Sequence, residues 1–239
     1  MKIDPDKCTS CLSCIPYCPM NCIAEGDDGT AIDEDECVDC GVCRNVEVCP
    51  EEAIYMPAEA FEYPRAIRMQ FSDPSVQHPN LKAWGRGTEE AKTNDVTGKF
   101  GKGDYGMLFE FGRPGTGARF REIEKITTAI CAMGIDILED NPISGLIADK
   151  TTGTIRPEFR DEKILSAILE IRIDDSQLAA VVDKVIPLLD DVDTVVSVGL
   201  VSRFDDNDEL PVIGALRSLG ITPRPNAKIN VGLGRPIVE

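Results

Sequence analysis

Nine of the ten cysteines in this 239-residue chain fall within its first fifty residues, at positions 8, 11, 14, 18, 22, 37, 40, 43 and 49; only Cys131 lies outside. Thiolates in such density ligate metals or exchange electrons. Nothing at the start of the chain resembles a secretion signal. MKIDPDKC carries charge with no apolar run behind it, so reduced, ligating thiols are expected in a cytoplasmic setting rather than disulfides. The cysteines also repeat. Cys8, Cys11 and Cys14 recur 29 residues later as Cys37, Cys40 and Cys43, and each half closes on a Cys-Pro pair, Cys18-Pro19 and Cys49-Pro50. A duplicated spacing of this kind marks one structural unit used twice.

The run Cys8-x2-Cys11-x2-Cys14-x3-Cys18-Pro resembles the ligand motif of the bacterial-type dicluster ferredoxins, over about the first 60 residues, a quarter of the chain. The remainder resembles no specific family. The resemblance implies two 4Fe-4S clusters with crossed ligation, because in that family the fourth cysteine of each run serves the other cluster. Carried over, cluster I takes Cys8, Cys11, Cys14 and Cys49, and cluster II takes Cys37, Cys40, Cys43 and Cys18. One departure stands out. Five residues separate Cys43 from Cys49 where three separate Cys14 from Cys18, which lengthens a loop without deleting a ligand. A pair of zinc sites is the alternative, but paired CxxC motifs would serve zinc without the continuous run. Cys22 aligns with Ala53 in the repeat (CPMNCI against CPEEAI) and reads as a small packing residue on a first helix, and Cys131 as a core residue of a helical stripe.

Charge excludes one partner class. Asp and Glu number 42 against 25 Lys and Arg, a net charge of -17, so no basic footprint for a nucleic acid is present. No run approaches the roughly 18 to 20 apolar residues of a membrane span. The acidic surroundings of the cysteines oppose an added electron and favour low potentials, and the acidic run 33–36 could steer a basic docking site.

The cysteines need elements to hold them, and the rest of the chain needs a role. We divide it into a dicluster ferredoxin domain at 1–63, an extended Gly- and Pro-rich connector at 64–103 without periodicity, a plait domain at 104–206 and a basic tail at 207–239. In the third part GMLFEFG reads as a strand, and RFREIEKITTAICAMG as a helix burying Phe120, Ile123, Ile126, Ile130 and Met133 and stopping at Gly134. IDILED and ISGLIAD read as extended. ILSAILEIRID alternates as a half-buried strand, and QLAAVVDKVIPLLDDV is a helix capped by Ser176, with Pro187 shortening its last turn. TVVSVGLVS is a final strand. The fold class is therefore α+β, with a ferredoxin-like βαβ-βαβ plait of the ACT kind after the cluster domain.

Three weaker signals remain. The turn GRPGTGAR, 112–119, could present N–H groups to an anion, His78 reads as a surface turn residue, and Trp84 as an interface anchor. No nucleophile, base or substrate-metal set has a recognisable spacing, so no catalytic residue is expected. The expectation is an iron–sulfur electron-transfer subunit of an oxidoreductase complex, serving a flavin- or Mo/W-dependent partner, with the plait docking that partner or forming a homo-oligomer. The alternative is a regulatory protein in which the plait senses a ligand and the clusters sense redox state.

Overall fold

The 29-residue repeat of the sequence is a two-fold repeat of the backbone. In the computed structural model, which describes residues 1–26, 29–78, 83–84, 99–113, 115–139 and 141–224, strand β1 (Lys2–Ile3) leads into the first cysteine loop. The hairpin β2 (Ile23–Gly26) and β3 (Gly29–Ile32) leads into the second, followed by the single turn α1 (Val42–Asn45) and by β4 (Ile54–Tyr55). Ile3 pairs with Ile54, and Ile32 pairs with Ile23, so each half donates one strand to the other. The smaller bonds repeat as well. Asp4 and Asp33 each accept at their carboxylate from the N–H two residues on, at 3.0 and 2.9 Å. Their carbonyls accept from the N–H of Cys8 and Cys37, again at 3.0 and 2.9 Å. These Asx turns set the entry to each cysteine loop.

The proposed connector is not uniformly extended. Helix α2 (Ala66–Ser72) occupies its start, buries Ala66, Ile67, Arg68, Met69, Phe71 and Ser72, and packs on both parts of the chain. It lacks a polar stripe because it is covered on all sides, which is why no 3.6-residue period announces it. After it, β5 (Gln77–His78) pairs with β6 (Ala83–Trp84). The Trp84 side chain, and with it the anchor reading, lies outside the described residues.

His78 is not at the surface. It is 3% exposed, with its ring edge-on to Phe71 at 4.9 Å, and Phe71 stands edge-on to Phe120 at 5.3 Å. Burial pushes the imidazole pKa down to about 4. The unfolded chain then binds the extra proton between its ordinary pKa near 6.5 and 4, so this contribution is intact above pH 6.5 and is lost as pH falls toward 4. We expect stability to drop by about 2 kcal/mol from pH 7 to pH 5 on this account alone. Anaerobic denaturant unfolding of wild type and His78→Phe at both pH values checks it, since the variant should lack that part of the slope.

The larger core belongs to the second half. Strand β7 (Asp104–Phe111) is central. It pairs antiparallel with β12 (Ala167–Asp174) on one side and β13 (Val196–Val201) on the other. Tyr105, Met107, Phe109 and Phe111, with Ala167, Leu169, Ile171 and Ile173, face helices α3 (Phe120–Cys131) and α4 (Asp175–Val185). Phe120, Ile123, Ile126 and Ile130 are fully buried, Met133 partly so, and Gly134 ends the helical segment in a left-handed turn. Short antiparallel pairs complete the unit: β8 (Ala118–Arg119) with β11 (Lys163–Ile164), and β9 (Ile147–Asp149) with β10 (Thr154–Ile155). The cap of α4 is Asp174, not Ser176, in a full capping box with Gln177. Pro187 does end that helix, starting a 3-10 turn over Pro187–Asp191. Helix α5 (Pro211–Ser218) adds Val212 and Leu216 to the core, so the segment after 207 is not only a tail; residues 225–239 lie outside the described ones.

Where a four-stranded plait needs a fourth strand, beside β12, the described residues supply only the bridge from Ile137 to Ile171. The chain still serves that edge. Leu138 N–H donates to Glu170 O at 3.2 Å, and the fully buried Asn141 side chain donates to Ile168 O at 2.8 Å, an amide standing where a strand N–H would be. The expected strand in ISGLIAD is a 3-10 turn over Pro142–Leu146 followed by the short β9. The β12 strand is also buried on its second face: Ile168 and Glu170 are at 2% and 0% exposure. Phe100 covers that face, its ring filling the space where a Cβ on Gly106 would stand only 2.4 Å away.

Candidate metal centre

Each cysteine loop coils because two of its residues adopt positive φ. In the first loop these are Ser10 (54°) and Leu12 (61°), and in the second Asp39 (50°) and Gly41 (72°), the same positions 29 residues on. A non-glycine residue in this region costs about 1 kcal/mol, so Leu12 holds strain that the loop must offset. The repeat continues past each closing cysteine, with Asn21 (53°) and Glu52 (49°) matching, while Glu47 (51°) takes up the longer second spacing. The N–H of Cys22 donates to Cys18 Sγ at 3.4 Å, and that of Ala53 to Cys49 Sγ at 3.3 Å. The sequence alignment of Cys22 with Ala53 thus has a structural counterpart.

Two hollows result. One is lined by Cys8, Cys11, Cys14 and Cys49 with Ile3, Thr9, Leu12, Ser13, Thr30, Ala53 and Ile54. The other is lined by Cys18, Cys37, Cys40 and Cys43 with Cys22, Met1, Pro19, Met20, Ile23, Ile32 and Val38. The thiols surround these spaces rather than meet at a point. Among the described residues, no three His, Cys, Asp or Glu side chains are placed to hold a single metal ion. Four thiols around one hollow and five around the other, with N–H groups aimed at sulfur, fit iron–sulfur clusters.

The two hollows differ in depth. Around the first, Cys11 is exposed, Cys8 and Cys49 half-buried and Cys14 buried, whereas around the second Cys37, Cys40 and Cys43 are buried and Cys18 half-buried. Burial pushes the Cys43 thiol up to about 12, reinforced by neighbouring thiolates, and raises Cys40 and Cys14 as well. Cys22 is not on a helix; only a 3-10 turn over Ile15–Tyr17 precedes it. Its sulfur lies 3.3 Å from that of Cys18. Hydrogen bonding from Cys22 holds Cys18 down to about 5 and Cys37 to about 7, while the Cys22 thiol itself is raised. Five thiols thus stand around this hollow, with Cys22 donating toward Cys18 and Cys37. Cys131 is far from both, half-buried beneath Gly153.

The acidic run 33–36 does not face an outside partner alone. Glu34 pairs with Arg65 at 2.6 Å and Lys2 at 3.5 Å, and Glu36 pairs with Arg119 at 2.9 Å and with Lys163. The second half of the chain thus supplies cations to the loop carrying Cys37 and Cys40. The turn 112–119 is committed in the same direction. Its Thr116 and Gly117 N–H groups both donate to Gly112 O, and the first N–H groups of α3 donate to Glu162 and Arg160 carbonyls. Met20 packs where a Cβ on Gly117 would lie, 2.6 Å from its Cε. The turn is a packing wedge against the deeper hollow, and those N–H groups are not offered to an anion.

A family model described as a 4Fe-4S binding domain matches residues 1–24. The chain is 54% identical over 43 residues to the ferredoxin 7Fe of Hydrogenibacillus schlegelii, covering 18% of this chain and 53% of that protein. It is 33% identical over 102 residues to Ferredoxin-1 of Caulobacter vibrioides, covering 41% of this chain and 86% of that protein. The chain belongs to the ferredoxin family. A ferredoxin of Streptomyces griseus is 45% identical over 65 residues, 26% of this chain and 60% of that protein. The chain thus spans little more than half of some of these ferredoxins and most of another. The N-terminal part of this ferredoxin is an iron–sulfur electron carrier of the 4Fe-4S type. Among the described residues no helix is long and apolar enough to cross a membrane.

Proposed function

We propose that this ferredoxin carries two 4Fe-4S clusters and passes single electrons through them to or from a partner oxidoreductase, a flavin- or Mo/W-dependent enzyme in the cytoplasm. Cys8, Cys11, Cys14 and Cys49 hold cluster I, and Cys37, Cys40, Cys43 and Cys18 hold cluster II. The observation that carries this reading is the composition of the two hollows: each takes three thiols from one loop and is completed from the other half of the duplicated unit, by Cys49 in one and by Cys18, with Cys22 beside it, in the other. Such clusters, when bound, accept one electron at a time and spread it over several irons. The chain's part is to supply the thiolates, aim N–H groups at Cys18 and Cys49, and exclude water unequally from the two sites. Cys11 makes the first site the one where a partner approaches closest.

The second half of the chain, on this reading, is a plait with one strand reduced, and it docks the partner or a second copy. Supporting it is the order of the sheet, with β7 central between β12 and β13 and the Ile137 bridge outside β12. The test is anaerobic purification from the native host, with iron, sulfide, flavin, molybdenum and tungsten assayed in the same sample. About eight irons per chain are expected, with a stoichiometric flavin- or metal-bearing subunit. Zinc in place of iron, or a count of about four irons, overturns the cluster assignment. A lone homo-oligomer overturns the partner assignment.

A further inference from the structure

We propose that Arg68 sets the potential of the deeper cluster site, by holding a cation against the Cys37 backbone while anchored to the second half of the chain. The inference rests on the two-cluster reading above. Arg68 lies on α2 and is 8% exposed. Its Nη1 donates to Cys37 O at 2.8 Å and to Glu34 O at 2.6 Å, and its Nε, a different corner of the guanidinium, donates to the Glu162 carboxylate. Glu162 immediately precedes β11, and the neighbouring Leu165 N–H donates to Ser72 Oγ on the same helix at 2.9 Å. The helix is thus clasped to the second half at two points, and Arg68 is the side chain that reaches from the clasp to a ligand residue.

One other cation reaches Cys37 itself: the Met1 amino group lies 3.7 Å from its Sγ, paired there with Asp39. Asp39 Oδ1 stands 3.6 Å from Cys37 Sγ, but Arg65 binds that carboxylate at 2.9 and 3.3 Å, and the Met1 amino group pairs with it as well. Arg68 differs because its cationic Nη1 is turned to the loop and its anion lies at another corner. An electron added at the deeper site is an added negative charge in a poorly solvated place, where a fixed cation is felt strongly. The corresponding position 29 residues earlier is Cys8, which is half-buried where Cys37 is buried. Arg68 is a positioning residue: it touches the ligand's backbone and not the cluster.

The consequence is an ordering. The deeper couple lies above the outer one, so an electron entering beside Cys11 comes to rest at the site gripped by the second half of the chain. The test is potentiometry with electron paramagnetic resonance on the full chain, with Cys11→Ser identifying the outer signal. Arg68→Gln should lower the deeper couple by at least about tenfold in its reduction equilibrium constant, about 59 mV for one electron, and leave the outer couple in place. Arg68→Lys should restore part of the shift. Glu162→Gln, which keeps the arginine on its two carbonyls and removes the anion, should move the deeper couple the opposite way, and it decides the matter if Arg68→Gln does not fold. Unmoved couples, or two couples moving together, overturn the role of Arg68. A wild-type protein with only one couple overturns the two-cluster reading first, and this inference with it, before any variant is made.

Discussion

Stripping the iron with a chelator under anaerobic conditions should unfold the first 63 residues and leave the three-stranded sheet standing. The two halves are built from different materials. The core of the first is Met1, Cys14, Cys22, Ile23, Cys37, Cys43 and Ile54, in which cysteines outnumber every other residue type. Its longest strands, β2 and β3, have four residues each. A core so small rarely holds a domain without metal or disulfide staples, and in the proposed arrangement each cluster ties one half of the repeat to the other. The second half buries Phe109, Phe111, Phe120 and a row of isoleucines at zero exposure and depends on no thiol. Hydrogen exchange read by mass spectrometry distinguishes them. Amides of β2 and β3 should lose protection by about a hundredfold or more, in keeping with loss of several kcal/mol of binding energy, while those of β7 and β12 keep theirs. Unchanged protection across residues 1–63 would mean that the thiol loops fold without metal.

This division follows from what is local and what is not. The family is readable from the cysteine run because a ligand loop is a local object, its spacing fixed by the backbone between one thiol and the next. Helices α3 and α4 are readable for the same reason, each carrying a buried stripe and a polar face. Helix α2 is not. Pro64 precedes it, it is only seven residues long, and Ile67, Phe71, Arg68 and Ser72 are buried on different sides of it, so no period separates an inside from an outside. His78 is misjudged from sequence because its partner Phe71 packs on Phe120, and that contact belongs to the fold of the second half. The acidic run 33–36 shows the same limit. Two of its cations, Arg119 and Lys163, lie more than eighty residues away, and a charge run in sequence says nothing about which distant residues will neutralise it. The edge beside β12 has a local cause that sequence shows only in hindsight: Pro142 follows too soon after Ile137 for a strand to run, and Asn141 completes the edge with a side chain instead.

Replacing Cys49 by serine should remove the cluster held by Cys8, Cys11 and Cys14, and replacing Cys18 should remove the other. Sequence proximity suggests the reverse, since Cys49 closes the run that begins at Cys37. The hollows decide the expectation. Cys49 lines the space with Cys8, Cys11 and Cys14, and Cys18 lines the space with Cys37, Cys40 and Cys43. The exchange arises because β1 pairs with β4 and β3 with β2, which carries each closing cysteine across to the opposite loop. Serine is a poorer ligand, having a harder oxygen in place of a soft thiolate. Iron content should fall by about half in either variant, with one of two resonance signals lost. The identity of the lost signal is the informative readout, and Cys11→Ser supplies the reference because its thiol belongs unambiguously to the first loop. If Cys49→Ser and Cys11→Ser abolish different signals, the ligation is not crossed and each run holds its own cluster. The two replacements also differ in neighbourhood. Beside Cys18 stands Cys22, 3.3 Å away, whereas Ala53 occupies the matching place beside Cys49. Loss of the fourth ligand therefore leaves the first site with no thiol in reserve, and Cys49→Ser is the replacement expected to empty its site more completely.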